Sequence, residues 1–285
     1  MLQPIKSLLK PLFMKALVGA VATRWRSRAP GRAHGLPARL VVTLTSYPKR
    51  FDVLELTLKT LLTQSVQPDA VLLWIAHGDM AQLPKGVLAL QQDGLTIRAT
   101  EDLRSYKKIV PALAEFADAF LVTADDDVYY QKDWLRIFCE AYRAGDKTVL
   151  AQRAHRMVVE SGQLLPYDQW PFEISDPKPG WDVFFTGVGG VFYPPGSLHA
   201  DVGDVATLLA LCPNGDDIWL NWMTRLAGNK VRKVGTRSRF YEWPGSQGVA
   251  LQNTNRAGGG GNDRQFAAII ERYGIPGFAK TAGGH

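Results

Sequence analysis

Cysteine is scarce in this chain. Of its 285 residues only Cys139 and Cys212 are cysteines, and neither stands at a metal-ligand spacing or beside a histidine. This argues against a disulfide framework and against a cysteine-ligated metal. The pattern is typical of free, mostly buried thiols in a reducing compartment.

Acidic residues are absent from the first 51 positions. Ten of the 33 Lys and Arg residues lie there, and the first acidic residue is Asp52. The rest of the chain therefore carries 23 basic and 27 acidic residues, although the whole chain has a formal net charge of +6. Because the body of the protein is not basic, it lacks the surface that nucleic acid requires, and no nucleic-acid partner is predicted.

The N-terminal arm, residues 1–36, contains no apolar run of transmembrane length. Apolar residues recur there at roughly helical spacing between basic residues, but Pro11 and Lys15 interrupt them. A membrane-spanning helix needs about 20 predominantly apolar residues. We expect instead a basic amphipathic helix on an anionic membrane surface, followed by a linker at residues 29–37. A secretory signal, which Ala20-Val-Ala22 loosely fits, and an ordinary docked helix are the alternatives.

From residue 39 onward, short apolar runs alternate with helical patterns. Strands are predicted at residues 40–45, 71–76, 95–99 and 120–123, and further along the chain at 148–152, 183–192 and 231–234. Helices are predicted between them, notably at residues 51–62 and 107–116. Repeated βα units indicate an α/β fold with a mixed, mainly parallel sheet flanked by helices, in which ligands bind outside the carboxyl ends of the strands.

Three consecutive carboxylates follow the predicted strand 120–123: Asp125, Asp126 and Asp127. Two unit charges about 4 Å apart repel by roughly 4 kcal/mol at an effective dielectric of about 20, so the cluster favours a bound cation. In extended backbone Asp125 and Asp127 share one side and Asp126 takes the other. Hard oxygen ligands suit Mg²⁺ or Mn²⁺. The alternative is an Asp-rich turn that caps the helix starting near Lys132.

Two further charge pairs require an explanation. Lys107 and Lys108 begin the predicted helix 107–116, where cations oppose the helix dipole by about 0.3–1 kcal/mol. A bound diphosphate would reverse that sign, whereas a solvated basic turn needs no ligand. Asp216 and Asp217 begin a helix with an apolar stripe. One of them can serve as the N-cap, yet two carboxylates exceed what a cap requires, and Asp217 is a candidate general base.

The second half of the chain is predicted to be less regular. Residues 155–181 form an irregular segment whose aromatic side chains either stack on a sugar or pin the loop to the core. The glycines within residues 186–190 permit close approach of a ligand, although no strand–turn–helix context supports a dinucleotide fingerprint. Residues 247–261 are predicted to form a mobile lid, and residues 263–273 a final helix.

Four segments together carry a family resemblance. They are Thr43-Leu-Thr-Ser-Tyr-Pro-Lys-Arg50, Asp102-Leu-Arg-Ser-Tyr-Lys-Lys108, Ala124-Asp-Asp-Asp127 and Gly215-Asp-Asp217. With this order of elements over roughly residues 40–230, the chain resembles GT-A fold (Rossmann-like) glycosyltransferases, close to the bacterial family 2-like enzymes that build surface polysaccharides. The third segment corresponds to the Asp-x-Asp motif of that family.

The resemblance implies a metal-dependent, inverting transfer of a sugar from a nucleotide-sugar donor, in the first place a UDP-sugar, to a glycan or lipid-linked acceptor. It also implies a single domain at residues 37–285, with a nucleotide-binding half (37–130) and an acceptor half (131–285), working at the cytoplasmic face of the membrane. The residues implied are, for the donor, Thr45, Tyr47, Arg50, Asp102, Lys107, Lys108, Asp125 and Asp126; for Mn²⁺ or Mg²⁺, Asp125 and Asp127; and for the catalytic base, Asp216 or Asp217.

The chain departs from the family pattern in two places. It has Asp-Asp at positions 216–217 where many relatives have Glu-Asp, which leaves the identity of the base open. It lacks a Gln-x-x-Arg-Trp motif, which argues against a processive synthase. A retaining transferase and a non-catalytic glycan-binding protein remain alternatives, and so does a nucleotidylyltransferase, although its glycine-rich loop is missing after the first strand.

Overall fold

The fold is a seven-stranded sheet with helices on both faces. The computed structural model describes residues 3–235, 240–244 and 261–278, with the backbone alone for residues 3–10. Its helices are α1 Gln3–Arg26, α2 Phe51–Leu61, α3 Lys85–Ala89, α4 Val110–Glu115, α5 Trp134–Ala141, α6 Val205–Leu211, α7 Asp216–Leu226 and α8 Gly261–Tyr273. Its strands are β1 Arg32–Ala33, β2 Leu40–Thr45, β3 Val66–Gln67, β4 Ala70–Ala76, β5 Leu95–Thr100, β6 Phe120–Thr123, β7 Val128–Tyr129, β8 Val149–Ala151, β9 Ala154–Arg156, β10 Val159–Glu160, β11 Gln163–Leu164, β12 Val183–Phe185, β13 Val191–Tyr193, β14 Val231–Lys233 and β15 Tyr241–Glu242.

The main sheet has the strand order β14-β8-β13-β6-β2-β4-β5. Strands β2, β4, β5 and β6 are parallel neighbours, as expected from repeated βα units. Strand β13 runs antiparallel to both β6 and β8, and β14 runs parallel to β8. Six strands therefore share one direction and β13 alone opposes them. The predicted α/β fold with a mixed, mainly parallel sheet is confirmed.

Apolar side chains of the central strands pack on both faces of this sheet. In β2, Val41 joins one core cluster, while Leu40 and Val42 join the other, because successive side chains of a strand point to opposite faces. The first cluster is covered by α7 and the second by α2 and α5. Burial on both faces explains why these strands read as continuous apolar runs in the sequence.

Two predicted segments differ from the structure. The helix predicted at residues 107–116 is instead a 3-10 turn at Arg104–Lys108 followed by α4, since Pro111 fits only the first turn of an α-helix. The segment 155–181, predicted to be irregular, contains β9, β10 and β11. These strands are only two or three residues long, too short to show a periodicity in sequence.

Helix α1 lies against the body of the protein. Met14 and Val21 are buried in a small apolar cluster with Trp243. The guanidinium of Arg24 donates hydrogen bonds to the backbone carbonyls of Thr60, Thr63 and Tyr130. The alternative of a docked helix therefore holds for this face of α1. In the part of the chain that the structure describes, no helix is long and apolar enough to cross a membrane.

Replacing Arg24 by alanine should loosen the docking of α1. Because its guanidinium satisfies three carbonyl oxygens at 2.9–3.1 Å, we expect Arg24→Ala to lower the free energy of unfolding. The loss should be about 1–3 kcal/mol, measured by urea denaturation. The matched control is Arg26→Ala, an exposed arginine of the same helix that should change stability by less than about 0.5 kcal/mol. Equal effects of the two substitutions would contradict the assigned role of Arg24.

Candidate functional site

A large cleft lies along the edge of the sheet where the parallel strands end. Its volume is about 1570 Å³. It is lined by residues that follow the carboxyl ends of the strands, by the start of α7 and by the segment 240–242: among them Thr45, Ser46, Tyr47, Arg50, Asp102, Lys107, Lys108, Asp125, Asp126, Asp127, Arg153, Tyr167, Gly187, Asp216, Asp217 and Tyr241. All eleven residues that the sequence nominated for a site thus line one cleft.

The carboxylate triplet lies on a turn between β6 and β7. The carboxylates of Asp126 and Asp127 both contact the guanidinium of Arg50, and Asp126 also accepts a hydrogen bond of 2.6 Å from the Ser46 hydroxyl. Asp125 lies 3.4 Å from the ammonium of Lys108. The predicted alternation, with Asp126 opposite the other two, is therefore wrong, because the chain turns here instead of remaining extended.

The helix-capping alternatives for the aspartates are wrong. The triplet does not cap a helix: α5 begins at Trp134, and its N-cap residue is Asp133, whose side chain makes no capping hydrogen bond. The N-cap of α7 is Gly215, so Asp216 and Asp217 lie in the first turn of the helix. Their carboxylates are free of a capping role and face the cleft.

The two lysines are buried, so the alternative of a solvated basic turn is also wrong. Lys107 is 4% exposed and Lys108 is 8% exposed. Lys107 forms an ion pair with Asp102, and its hydrogen bond is the main reason that the pKa of Asp102 lies below its usual value. Both lysines belong to the 3-10 turn before α4, which directs their ammonium groups into the cleft wall.

Lys108 joins the triplet to the start of α7. Its ammonium lies 2.9 Å from Asp216 and 3.4 Å from Asp125. Burial by itself would lower the pKa of Lys108, but Asp216 and Asp125 outweigh it and raise that pKa well above the ordinary value. Lys108 is therefore a permanent cation. Asp216 also accepts a hydrogen bond of 3.0 Å from the Ser105 hydroxyl, so it is held on both oxygens.

Asp217 has a different environment from its neighbour. Burial, followed by the charge of Asp216, raises the pKa of Asp217 to about 7. Its carboxylate accepts a hydrogen bond of 3.0 Å from the backbone amide of Gly187, which partly offsets those effects. A group that exchanges its proton near neutral pH within a cleft has the property required of a general base.

Gly187 lies at the site because β13 is antiparallel to the other strands of the main sheet. Reversal of β13 places the loop before it, residues 186–190, at the edge where the parallel strands end. A Cβ atom on Gly187 would lie 3.1 Å from the Asp217 carboxylate and 3.2 Å from the Lys108 ammonium. Glycine thus keeps open the space between the candidate base and the buried cation. The sequence showed a glycine-rich stretch here but not which of its glycines faces the site.

The segment 240–244 covers the triplet from outside. Strand β15 pairs with β7, which directly follows the triplet. The backbone amide of Trp243 donates to the Asp127 carbonyl at 2.8 Å, and its indole donates to Thr57 at 2.9 Å. Tyr241 lines the cleft and contacts the ring of Phe13 on α1, with ring centroids 4.9 Å apart. The N-terminal helix therefore borders the cleft.

The loop aromatics mainly serve the core, which was the plainer of the two alternatives. Trp170 is 3% exposed and packs against Phe184 and Phe266. Tyr167 belongs to the same cluster but also lines the cleft. The predicted lid falls almost wholly outside the described residues, and only Gly261 of it is described, as the first residue of α8.

Sequence reasoning missed several residues of the site. Ser46 and Ser105 bind carboxylates of the cleft, and Arg153 donates to Thr186 beside Gly187 at 3.1 Å. Ser46 and Ser105 lie inside two of the segments that carry the family resemblance, which was a signal for them. No pattern in the sequence distinguished Arg153 from a surface arginine.

The triplet does not by itself form a complete metal site. In residues 3–235, 240–244 and 261–278 no group of three or more His, Cys, Asp or Glu side chains is arranged to hold an ion. Asp125 and Asp127 nevertheless offer hard carboxylate oxygens to the same cleft. Such a pair fits Mg²⁺ or Mn²⁺ when water and substrate phosphates supply the remaining ligands, provided that Arg50 leaves Asp127.

Comparison with known proteins leaves the family open. No protein-family model matches the sequence, and no curated protein matches it. Among solved structures, a mannosyltransferase from Pyrobaculum calidifontis in complex with GDP-Man and Mn²⁺ aligns with 95% of this chain and 76% of its own, at 14% identity and a TM-score of 0.49. Glucosyl-3-phosphoglycerate synthase from Mycobacterium tuberculosis, in complex with Mn²⁺, UDP and phosphoglyceric acid, covers 88% and 86%, at 10% identity and a TM-score of 0.45.

A nucleotidyltransferase is found by the same comparison. A CMP:2-keto-3-deoxy-manno-octonic acid synthetase complexed with CTP aligns with 77% of this chain and 99% of its own, at 11% identity and a TM-score of 0.41. At these identities and TM-scores the neighbours assign neither an activity nor a ligand to this chain. The fold described above rests on its own strand topology.

The two adjacent aspartates of α7 should respond to neutralisation with opposite signs in stability. The pKa of Asp217 is raised from 3.8 to about 7, so folding disfavours its charge, and its contribution to stability falls as pH rises through that window. We expect Asp217→Asn to stabilise the protein at about pH 8, by roughly 1–2 kcal/mol, and to have little effect near pH 4.

Asp216→Asn removes the nearer partner of a buried cation and should destabilise by about 2–3 kcal/mol at the same pH. Urea unfolding of both variants at the two pH values provides the comparison. Destabilisation of similar size by both substitutions at pH 8 would show that the two carboxylates are not distinguished in this way.

Proposed function

We propose that the protein is a glycosyltransferase that moves a sugar from a nucleotide-sugar donor to a hydroxyl group of an acceptor. One observation carries the proposal: a single cleft holds Asp217, whose pKa is raised to about 7, together with two buried lysines and a carboxylate triplet. Transfer of a glycosyl group requires those functions together, because an acceptor hydroxyl must lose a proton while an anionic diphosphate departs.

The donor would lie along the strand ends of the nucleotide-binding half. Lys107, Lys108 and Arg50 supply the positive charge for a diphosphate, and all three line the cleft. Thr45 at the end of β2, Tyr47 just after it and Asp102 after β5 line the cleft, and they would bind the base and ribose. A UDP-sugar is the first donor to test, as the family resemblance implies.

Asp125 and Asp127 would hold Mn²⁺ or Mg²⁺. When bound, such an ion supplies positive charge that stabilises the departing diphosphate. The carboxylate of Asp126 is engaged by Ser46 and Arg50, and its pKa is raised to about 7 by burial, which makes it the least suitable ligand of the three. Its role is to fix the turn that presents its two neighbours.

Asp217 is the better candidate for the base. Asp216 is held by Lys108 and Ser105, so its charge is committed to the structure. Asp217 would accept the proton of the acceptor hydroxyl, whose oxygen forms the new bond to the anomeric carbon. The bond from that carbon to the diphosphate oxygen breaks, and the electron pair leaves with the diphosphate. Attack opposite the leaving group inverts the configuration of that carbon.

The acceptor is proposed to be a glycan or a lipid-linked sugar in cell-envelope polysaccharide synthesis, with the protein bound peripherally to the cytoplasmic face of the membrane. Support for this comes from α1. Leu12 and Phe13 are 67% and 42% exposed, Lys15 is exposed beside them, and the Phe13 ring contacts Tyr241 at the cleft. A membrane surface bound by α1 would therefore place a lipid-linked acceptor near the cleft.

A donor screen tests the reaction class. We expect the purified protein, with Mn²⁺ or Mg²⁺, to hydrolyse or transfer from at least one member of a panel of UDP, GDP, CMP and dTDP sugars. The reaction is measured by the release of the nucleoside phosphate. A protein that neither binds nor turns over any member of the panel is not a glycosyltransferase of this kind.

The role of Asp217 has a specific pH signature. Because the pKa of Asp217 is about 7, kcat/KM of the wild type should rise with pH and level off above that value. Asp217→Asn should lose about 10²–10⁴-fold in transfer while its UDP affinity, measured by calorimetry, stays within about twofold. Asp118→Asn, at an exposed carboxylate outside the cleft, is the matched control. Unchanged turnover in Asp217→Asn would assign the base elsewhere.

The membrane proposal is tested by charge reversal on the exposed side of α1. Lys15→Glu with Arg26→Glu should weaken binding to phosphatidylglycerol-containing vesicles by about tenfold or more, since each basic residue contributes about 1 kcal/mol at an anionic surface. The control reverses the charge of two exposed residues of the acceptor half, by Lys178→Glu with Arg272→Glu. Vesicle flotation measures the difference. Equal partitioning of both double variants and the wild type would contradict the proposal that α1 binds the membrane.

A further inference from the structure

Arg50 pairs with one of the two carboxylates that would hold a metal. Its guanidinium contacts the Asp127 carboxylate through Nη1, and the same nitrogen lies 3.4 Å from Asp126. The side chain is 11% exposed, so this pair is set into the cleft wall. Buried ions require a partner, and Arg50 and Asp127 each satisfy that requirement for the other. A divalent cation can reach this oxygen of Asp127 only if the guanidinium moves.

The guanidinium contacts Asp126, Asp127 and Tyr47, yet one of its nitrogens is not satisfied. Its Nε atom is buried and has no hydrogen-bond partner in the described part of the chain. A buried donor without an acceptor is costly, so the present position of Arg50 is compatible with a second one in which an added anion accepts its hydrogen bonds. Planar guanidinium groups bind phosphate oxygens in a bidentate manner, and the cleft beside Arg50 is open to a ligand.

We propose that Arg50 is an internal counter-ion that closes Asp127 to a divalent cation until a nucleoside diphosphate enters and takes over the guanidinium. The inference rests on the proposed function, because it concerns the same donor site. Two consequences follow. The metal alone binds weakly, and metal and nucleotide bind with strong positive coupling, because the diphosphate supplies both a new partner for Arg50 and further oxygens for the metal.

The neighbouring cation has a different role. Lys108 pairs with Asp125 of the triplet, at 3.4 Å, and with Asp216, at 2.9 Å, so its release would leave a carboxylate outside the triplet without its cation. Both carboxylates that Arg50 contacts belong to the triplet, where the incoming metal supplies a replacement for the positive charge of Arg50. The exchange therefore takes place at Arg50, and Lys108 stays in place when the cleft fills.

The experiment measures binding of Mn²⁺ alone by the loss of its free-ion paramagnetic resonance signal, and binding of UDP by calorimetry with and without Mn²⁺. In the wild type, UDP should tighten Mn²⁺ binding by about tenfold or more, and Mn²⁺ should tighten UDP binding by the same factor. In Arg50→Gln, Mn²⁺ alone should bind about tenfold more tightly than in the wild type, with correspondingly smaller coupling.

The matched control is Arg104→Gln. Arg104 also lines the cleft but hydrogen-bonds Pro213 and Asn214 instead of the triplet. The Arg104→Gln substitution removes the same unit charge from the cleft as Arg50→Gln does. Binding of Mn²⁺ alone should therefore change by less than about threefold. Circular dichroism and thermal melting establish that both variants fold. Should Arg50→Gln not fold, the wild-type coupling decides: Mn²⁺ that binds equally tightly with and without UDP overturns the proposal.

The remaining outcomes separate this proposal from the proposed function. Coupled binding of Mn²⁺ and UDP that is unchanged in Arg50→Gln overturns the role of Arg50 and leaves the donor site intact. Equal gains in Mn²⁺ affinity in Arg50→Gln and Arg104→Gln also overturn it, because the effect is then one of net charge. If Mn²⁺ does not change UDP binding in the wild type or in either variant, the proposed function does not include a metal. The proposed role of Arg50 is then overturned as well.

Discussion

The buried ammonium of Lys108 is the interaction on which the site depends. It lies between the carboxylate of Asp125, at the end of β6, and that of Asp216, at the start of α7. Because a buried charge is stable only when it is paired, this one cation fixes the distance between two elements that are some 90 residues apart in the chain. It also holds Asp216 in an ion pair, whereas burial and the charge of Asp216 raise the pKa of the adjacent Asp217 to about 7.

The single reversed strand is the second constraint. In a wholly parallel sheet the residues before a strand lie at the opposite edge from the residues after its neighbours. Since β13 runs antiparallel between β6 and β8, the loop before it meets the carboxyl ends of both. This brings Gly187 against Asp217 and Lys108, and it places Arg153, just after β8, beside the same loop. The reversal thereby joins the two halves of the cleft.

Trp243 connects the N-terminal helix to the triplet. Its ring is buried with Met14 and Val21 of α1, its indole hydrogen-bonds Thr57 of α2, and its backbone amide binds the Asp127 carbonyl. A displacement of α1 would therefore be transmitted to the turn that carries the carboxylates. The contact of Phe13 with Tyr241 at the cleft adds a second link between the helix and the site.

Local periodicity and order of residues were sufficient to determine the α/β class, the bounds of β2 and β6, and the set of polar residues at the strand ends. Apolar runs and turn residues are local properties, and parallel strands bring their carboxyl ends to one edge whatever their loops contain. The partners of the charges were decided only by the tertiary structure. The ion pairs of Arg50 and Lys108 depend on a turn and on side chains up to 108 positions apart in the chain. Sequence spacing carries no signal for such contacts.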